Sequence, residues 1–216
     1  MIVYGSSISP FVRKVLAFGA EKGLELEHRP LGLGSDDPDF LGASPFRKIP
    51  GFVDGDFSIC DSSAIVHYLE AKHPEPALIP AEPRARARTI WFDEFGDTIL
   101  MGCGRTMFFN RLVAPRFLGR PGDLEAADKA EKEELPPILD YLERVAPEPG
   151  GFLVGESITL ADIAVASPFA NLSYIDVAVD PQRYPKASAY VESILTRPSF
   201  ASWIERERAF LSKVAA

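Results

Sequence analysis

The segment Tyr4-Gly5-Ser6-Ser7-Ile8-Ser9-Pro10-Phe11-Val12-Arg13-Lys14 decides how the chain begins to fold. It follows the apolar run at residues 2–4 and leads, through a turn rich in glycine and serine, into a helical pattern that extends to Lys22. Proline suits the first position of a helix because an N–H at that position has no helical partner. The segment therefore predicts a strand, a tight turn and a helix, with Ser9 as the N-cap.

Strand and helix signals continue to alternate up to residue 72. Period-two and apolar runs predict strands at residues 24–29, 52–53 and 57–59, and helical spacing predicts helices at 36–41 and 61–72. The stretch Asp54-Gly55-Asp56 lies between two apolar pairs, which is a hairpin signal. The first part of the chain is therefore predicted to be an α/β domain.

Prolines separate this part from the rest. Residues 74–83 contain Pro74, Pro76, Pro80 and Pro83, which neither a continuous helix nor an inner strand tolerates. Beyond them, helical spacing recurs at residues 84–113, 123–145, 160–175, 187–195 and 199–211, and no strand pattern stands out. We predict an α/β domain at residues 1–78 followed by an all-α helical-bundle domain at residues 84–216.

Composition excludes several classes of protein. The 216 residues are 46% hydrophobic and 25% charged, which is typical of a globular chain and not of a disordered one. The 23 basic residues are outnumbered by 31 acidic ones, so no basic surplus is available to bind nucleic acid. Two cysteines make no disulfide framework, and no apolar run is long enough for a leader or a membrane span. These features predict a cytoplasmic protein with neither nucleic acid nor membrane as a partner.

Two further segments carry polar groups at positions that could bind a ligand. In Phe46-Arg47-Lys48-Ile49-Pro50-Gly51-Phe52, a cis Ile49–Pro50 bond would turn the Ile49 backbone toward an extended peptide ligand. About 95% of such bonds are trans, so these residues alone favour an ordinary strand entry. In Cys60-Asp61-Ser62-Ser63, an acid and a hydroxyl open a helix. They fit either an N-cap or a site for the ammonium and carboxylate of one zwitterionic ligand.

Together these segments resemble the glutathione transferase superfamily, and specifically its cytosolic, Ser-type, bacterial-like members. The stretch SSISPFVRKV resembles the family's catalytic turn, RKIPGF its cis-proline element, and CDSSAIVHYLE its motif for the γ-glutamyl end of glutathione. A fourth stretch, GESITLADIAVA, resembles the family's capping-box segment, with Thr159 as N-cap and Asp162 three residues later. The resemblance spans the whole chain and implies a thioredoxin-like first domain.

The resemblance also implies a binding site. Glutathione would be the co-substrate, held by the first domain, with Ile49 pairing its cysteinyl backbone next to a cis Pro50. Asp61 and Ser62 would hold the γ-glutamyl end, and Lys48 the glycyl carboxylate. Neither a metal nor a bound cofactor is expected, because His28, His67 and His73 have no Cys or carboxylate at ligand spacing. A homodimer is expected.

The expected chemistry requires a hydroxyl beside the glutathione thiol. A free thiol has a pKa near 8.5, so about 3% of it is thiolate at neutral pH, and the thiolate is the nucleophile. The serine directly before proline occupies the place of the reactive cysteine in related sequences, so Ser9 is the predicted donor. Ser6 and Ser7 remain alternatives in the same turn. Tyr4 is interpreted as an apolar-strand residue.

Conjugation of the glutathione thiolate to a small hydrophobic electrophile is the leading functional prediction. Serine at position 9 disfavours thiol–disulfide exchange, because it cannot form a mixed disulfide. Ile8 lies where the maleylacetoacetate isomerase class has cysteine. The alternatives are a glutathione-dependent peroxidase, dehalogenase or isomerase on the same site, or a non-catalytic binding protein.

Several other side chains receive an expected role. The electrophile pocket is predicted at Met101, Arg105 and Phe108, late on the first long helix of the second domain. Cys60 and Cys103 are expected to be small buried apolar residues. Basic residues expected at solvated faces or in ion pairs are Arg13, Lys14, Arg84, Arg86 and Arg88.

Overall fold

The computed structural model describes residues 1–32 and 34–214. Its first part is built on a four-stranded sheet in the order β2-β1-β3-β4. The strands are β1 (Ile2–Tyr4), β2 (Glu27–Arg29), β3 (Gly51–Asp54) and β4 (Phe57–Cys60). Strand β1 pairs parallel with β2 and antiparallel with β3, and β3 pairs antiparallel with β4 through the predicted hairpin.

Three helices accompany this sheet: α1 (Pro10–Glu21), α2 (Pro38–Ala43) and α3 (Ser62–Lys72). Parallel neighbours need a crossover connection, and α1 supplies it between β1 and β2. The apolar face of α1 is buried because Val12, Val15 and Leu16 join the main core. The thioredoxin-like architecture predicted for the first part is confirmed.

Among the residues described, the second part consists of helices joined by loops and contains no strand. Its α-helices are α4 (Pro83–Glu94), α5 (Met101–Phe108), α6 (Ala114–Phe117), α7 (Leu124–Lys129), α8 (Leu135–Val145), α9 (Leu160–Ser173), α10 (Pro185–Leu195) and α11 (Pro198–Val214). Three π-helical segments join consecutive helices at Phe95–Leu100, Phe109–Val113 and Ala130–Glu134. Residues 83–117 therefore form one long helical run, in which wider turns alternate with regular ones.

Element boundaries differ modestly from those predicted. The strand expected at residues 24–29 is reduced to Glu27–Arg29, because Gly23 and Leu24 donate backbone bonds to Ala20 and Gly19 and so close the end of α1. The first long helix continues four residues past 113, to Phe117. Residues 215 and 216 of the predicted second domain lie outside the described residues.

Helix α9 is the central element of the second part. From Leu160 to Leu172 its residues are buried, and the predicted capping box opens it: the Thr159 N–H donates to Asp162 Oδ2 at 2.9 Å. Its backbone closely approaches the helical run, since a Cβ on Gly96 would lie 2.7 Å from the Ala164 carbonyl oxygen. Helix α9 therefore contacts both parts of the chain, packing against α1 in the first part and against the helical run in the second.

The proline-rich connection is bonded to both parts. The Leu160 N–H donates to the Leu78 carbonyl at 2.8 Å, and Lys22 Nζ donates to the carbonyls of His73 and Pro76, each at 2.7 Å. Leu78 and Ile79 are themselves buried. In the part of the chain that the structure describes, no helix combines the length and apolar character needed to cross a membrane.

Candidate active site

The turn before α1 presents a serine hydroxyl at a helix N-terminus. Ser9 occupies the N-cap position, but its side chain makes no capping bond, so the expectation of ordinary serine capping is wrong for its hydroxyl. Its backbone is fixed, because the Ser9 N–H donates to the Ser6 carbonyl and the Ser9 carbonyl accepts from the Arg13 N–H, both at 3.0 Å. Amides of the first turn have no intrahelical partner. An anion placed here would meet both the hydroxyl and these donors.

Gly5 allows the serine turn, residues 5–10 from the end of β1 to the first residue of α1, to lie directly against another loop. This proline loop comprises residues 44–50, between α2 and β3. Its φ of +128° is a conformation that L side chains rarely adopt, and a Cβ there would lie 2.7 Å from the Cβ of Ile49. His28 Nε2 lies 2.7 Å from the Gly5 carbonyl, which can only accept, so this nitrogen carries the hydrogen. Burial lowers the pKa of His28, which keeps the ring neutral at pH 7.

The proline loop contains a backbone N–H and C=O that no backbone group among the described residues pairs. The Ile49–Pro50 bond is cis, as the family resemblance implies and against the expectation from these residues alone. Within the described residues, neither the N–H nor the C=O of Ile49 has a backbone partner. Buried Ser44 fixes the preceding residue: its Oγ donates to the Lys48 carbonyl at 2.6 Å and accepts from the Lys48 N–H at 3.0 Å. The side chain of Lys48 is exposed.

Asp61 has the geometry for both roles considered from its sequence, a helix N-cap and an acceptor for an ammonium group. Its Oδ1 accepts from the N–H groups of Ser63 and Ala64 at 3.0 and 3.1 Å, which caps α3, while Oδ2 has no partner among the described residues. Its φ of 79° lies in the left-handed region, which costs a residue with a Cβ about 1–2 kcal/mol. Such strain tends to occur at functional sites. An exposed Asp61 is therefore able to cap α3 and accept an ammonium group.

Ser62 contacts a buried polar network around Lys14, which the sequence analysis did not predict. Its Oγ is 3.4 Å from Asp97 Oδ2, and Lys14 Nζ donates to Asp97 Oδ2 at 2.6 Å and to Asp93 Oδ1 at 2.8 Å. Lys14 also donates to Ser63 Oγ at 3.1 Å. Burial raises the pKa of Asp97, an effect that its bond from Lys14 opposes. No spacing in the sequence could indicate this network, because it joins residues from both parts of the chain.

Arg13 is fully buried in a second network. Its guanidinium donates to Glu207 Oε2 at 2.6 Å from Nη2 and 3.1 Å from Nε, and to Asn171 Oδ1 at 2.9 Å. The Tyr174 hydroxyl donates to the same Glu207 oxygen at 2.5 Å, and burial raises the pKa of Tyr174, so it remains a donor. Of the two roles expected for Arg13, the solvated one is wrong and the ion pair is confirmed. The same is true of Lys14.

Helix α9 donates two hydrogen bonds to the serine turn. Asn171 Nδ2 donates to the Ile8 carbonyl at 2.7 Å, and Ser167 Oγ donates to the Pro10 carbonyl at 2.8 Å. These two carbonyls belong to the residues on either side of Ser9. The second part of the chain therefore contacts the turn directly.

A small apolar cluster borders the same turn. Ile8 packs against a buried group formed by Phe108, Leu112 and Leu211. Of the residues predicted for the electrophile pocket, Phe108 belongs to this cluster, Met101 is buried with 7% of its surface exposed, and Arg105 is exposed. The structure thus brings one of the three next to the serine turn.

Other candidate residues lie away from this chemistry. Cys103 is buried, and burial raises the pKa of its thiol to about 11. Cys60 is only partly buried, so its expected full burial is wrong. The Tyr4 ring is buried near Phe40, and its hydroxyl accepts from Arg29 Nη1 at 3.1 Å. Within residues 1–32 and 34–214, no three His, Cys, Asp or Glu side chains gather as a metal ion would require.

These features define a class of protein. Within the described residues, a thioredoxin-like sheet carries a serine hydroxyl without a capping bond at a helix N-terminus, a backbone N–H and C=O without backbone partners at a cis-proline, and an acid and a serine opening α3. A helical second part completes the surroundings of the turn. The class is that of two-part proteins with a thioredoxin-like first part and a helical second part.

Comparisons with known proteins agree with this description. Family models described as the N-terminal and C-terminal domains of glutathione S-transferase match residues 3–77 and 116–207. The chain is similar to Glutathione S-transferase 3 of Zea mays, with 31% identity over 208 residues, 92% of this chain and 90% of that protein. It is also similar to Glutathione S-transferase theta-3 of Mus musculus, with 29% identity over 211 residues, 96% of this chain and 81% of that protein.

A solved structure of comparable likeness is that of glutathione transferase F7 from Populus trichocarpa. It superposes with a TM-score of 0.82 at 26% identity and covers 94% of this chain and 97% of that one. The chain belongs to the glutathione S-transferase family.

Proposed function

We propose that this member of the family activates the thiol of glutathione with the hydroxyl of Ser9 and transfers the sulfur to a small hydrophobic electrophile. The family makes the protein a glutathione S-transferase. The observation that supports Ser9 is its uncommitted hydroxyl on a backbone that hydrogen bonds fix on both sides. Ser6 and Ser7 lie in the same turn, and neither occupies the N-cap of α1.

The proposed first step is loss of the thiol proton to solvent. The Ser9 hydroxyl donates a hydrogen bond to the resulting thiolate, and the N-terminus of α1 contributes its positive end. A charge-assisted bond of this kind contributes about 1.5–3 kcal/mol. One pKa unit corresponds to about 1.4 kcal/mol, so this bond is sufficient to bring a thiol pKa of about 8.5 close to neutral pH.

The second step forms the carbon–sulfur bond. With an aryl halide, the thiolate adds to the ring carbon and the halide leaves with the bonding electrons. With an activated alkene, the thiolate adds and a solvent proton completes the product. The apolar group around Phe108 borders the turn and supports a hydrophobic partner for the sulfur.

The remaining ligand contacts involve the proline loop and the start of α3. Ile49 would pair with the cysteinyl backbone next to Pro50, Asp61 and Ser62 would hold the γ-glutamyl end, and Lys48 would hold the glycyl carboxylate. Within the described residues, the Ile49 backbone has no backbone partner and Asp61 Oδ2 has none, which supports these assignments. Residues 1–78 would then bind glutathione, and residues 84–216 would supply the electrophile pocket, with Met101, Arg105 and Phe108 as its lining. We place this reaction in the cytoplasm, with no bound cofactor.

We also propose that the protein is a homodimer. Phe46 in the proline loop is 83% exposed, which is unusual for so large an apolar side chain. An apolar groove of about 310 Å³ lies on the second part, lined by Trp91, Phe95, Ile99, Pro137, Ile138 and Tyr141. A cavity of about 150 Å³ accepts a benzene ring. A two-fold dimer would place each Phe46 in the groove of the other copy, in two identical contacts.

Substitution of Ser9 tests the catalytic proposal. We expect Ser9→Ala to raise the pKa of bound glutathione and to lower kcat/KM with a generic aryl halide by about 10- to 100-fold at neutral pH, since one charge-assisted bond is lost. Glutathione affinity should remain within about threefold, because the hydroxyl contacts mainly the sulfur. Ultraviolet absorbance of the bound thiolate against pH measures the pKa directly.

Two control variants identify which serine of the turn lowers the pKa of the glutathione thiol. Ser6→Ala and Ser7→Ala should leave the thiolate titration unchanged. If one of them raises the pKa while Ser9→Ala does not, the activating serine is that residue and the assignment of Ser9 is wrong.

A further inference from the structure

The serine turn is held from the second part of the chain, by polar groups that the proposed chemistry does not itself use. The bonds from Asn171 and Ser167 reach the carbonyls of Ile8 and Pro10, the residues on either side of Ser9. Both donors are at least 98% buried, so water does not compete for these donor groups. Surface contacts could not fix the turn to the same degree.

A buried ion pair in turn orients the Asn171 side chain. Arg13 Nη1 donates to Asn171 Oδ1 at 2.9 Å, which leaves the amide nitrogen to face the turn. The same Arg13 nitrogen donates to the Ser167 carbonyl at 2.8 Å, and Glu207 neutralises the guanidinium from α11. Both carboxylate oxygens of Glu207 accept from Arg13, and a paired arrangement of this kind is geometrically specific.

A hydrogen bond to a thiolate depends on placement. The benefit of a donor falls steeply as its distance and angle leave the productive range, and a preorganised donor pays no reorganisation when charge develops. The backbone bonds of Ser9 within its own turn fix it relative to α1. The bonds from α9 fix the turn relative to the helical part, where the electrophile would bind.

We propose that Asn171 and Ser167 are positioning residues that hold the Ser9 hydroxyl at the glutathione sulfur, with the Arg13–Glu207 pair behind them. This inference rests on the proposed function of Ser9. It assigns to α9 a role in setting the thiol pKa, in addition to its role in the core. Neither residue touches the reacting atoms, so their effect should be transmitted through Ser9 alone.

The test compares matched serine-to-alanine changes on one helix. Ser167→Ala removes the bond to the turn, whereas Ser173→Ala removes a hydroxyl that donates locally to Ala170 and lies 3.5 Å from Arg208 Nη2. We expect Ser167→Ala and Asn171→Ala to raise the pKa of bound glutathione by about half a unit, a roughly threefold lower thiolate fraction below the pKa. Ser173→Ala should leave that pKa unchanged.

The pH profile separates positioning from mere destabilisation. With glutathione saturating, kcat/KM for the electrophile should be about threefold lower in Ser167→Ala than in the wild type near pH 6. This difference should vanish near pH 9, where the bound thiol is ionised in both proteins. Urea unfolding of the same variants reports stability independently. An equal loss at every pH, with the thiolate titration unchanged, overturns the proposal.

A double-mutant cycle distinguishes the two proposals. When Ser9 is already alanine, Ser167→Ala should produce no further change in the thiol pKa, because the group it positions is absent. If Ser9→Ala raises the pKa but neither α9 variant does, the positioning role is wrong while the proposed function stands. If Ser9→Ala itself has no effect, the proposed function fails and the positioning role fails with it.

Discussion

Gly5 shows how a single residue without a side chain determines the geometry of this site. Its carbonyl accepts from His28 and its N–H donates to the Arg29 carbonyl at 3.0 Å, so two residues of β2 fix it. At the same point the backbone turns with a positive φ and passes the side chains of Ile49 and Val12. The backbone of the proline loop and the serine turn therefore lie side by side.

Substitution of Gly5 should separate the steric cost of an added Cβ from the cost of a positive φ in the backbone. Gly5→Ala would place a Cβ 2.7 Å from Ile49 Cβ, whereas a Cβ at Gly55, which also has a positive φ, meets nothing within 4 Å. We expect Gly55→Ala to cost about 1 kcal/mol for the backbone alone, and Gly5→Ala about 2–4 kcal/mol because the proline loop must also shift. Urea unfolding measures both costs.

A rise in the KM for glutathione should accompany only the change at Gly5. If the two variants have equal stability and equal KM, the close approach between the turn and the loop does not shape the site.

At the scale of elements, ion pairs join the ends of helices that are far apart in the chain. Glu21 lies in the last turn of α1, where the helix dipole disfavours a negative charge. Arg197, in the turn between α10 and α11, donates to both of its carboxylate oxygens at 2.8 Å, and Ser199 Oγ donates at 2.6 Å. Burial acts to raise the pKa of Glu21, but these bonds outweigh it and hold the pKa below its ordinary value of 4.5.

This pair predicts a specific pH dependence of stability. Because the folded pKa is lowered, the unfolded state binds more protons in the window just below pH 4.5, and the contribution of Glu21 is present above that window. Glu21→Gln should therefore lower the free energy of unfolding by about 1–2 kcal/mol at pH 7, and the difference from the wild type should shrink as the pH falls through the folded pKa.

Denaturant unfolding at a series of pH values provides the measurement. Glu25→Gln is the matched control, since Glu25 is exposed and lies near the same helix end. A difference for Glu21→Gln that stays constant from pH 7 down to pH 3, or one that Glu25→Gln reproduces, would contradict the role of this pair.

At the scale of the whole molecule, the residues that the structure describes include a highly exposed apolar projection and an apolar groove. Phe46 lies on the first part of the chain, and the groove between α4 and α8 lies on the second. Trp91 and Ile99 at the groove are 47% and 43% exposed. Self-association would cover all of these surfaces at once, which the proposed homodimer requires.

Changes to either surface should weaken the dimer. We expect Phe46→Ser and Ile99→Glu each to raise the dimer dissociation constant by at least about tenfold, equivalent to about 1.4 kcal/mol. Phe210→Ser is the control, because Phe210 is 49% exposed but stacks on Phe117 within its own chain. Sedimentation velocity over a range of concentrations measures the association. A monomeric wild type, or a Phe46→Ser dimer of unchanged affinity, would exclude this contact.

Local sequence signals determined much of the architecture. The strand–turn–helix at Ser9, the hairpin, the proline-rich connection and the capping box at Thr159 each depend on neighbours within a few residues, so their patterns are readable in the chain. The family resemblance added the cis Ile49–Pro50 bond, which the residues alone did not indicate.

Tertiary structure alone decided which charges are buried and what fixes the serine turn. Arg13 and Glu207 are 194 positions apart, and Lys14 is 83 positions from Asp97. In the sequence, such residues are indistinguishable from solvated charges, because their spacing carries no periodic signal. Only the packing of α11 and of the helical run at residues 83–117 against α1 brings them together, and the low polarity of the interior then makes each charge dependent on its partner.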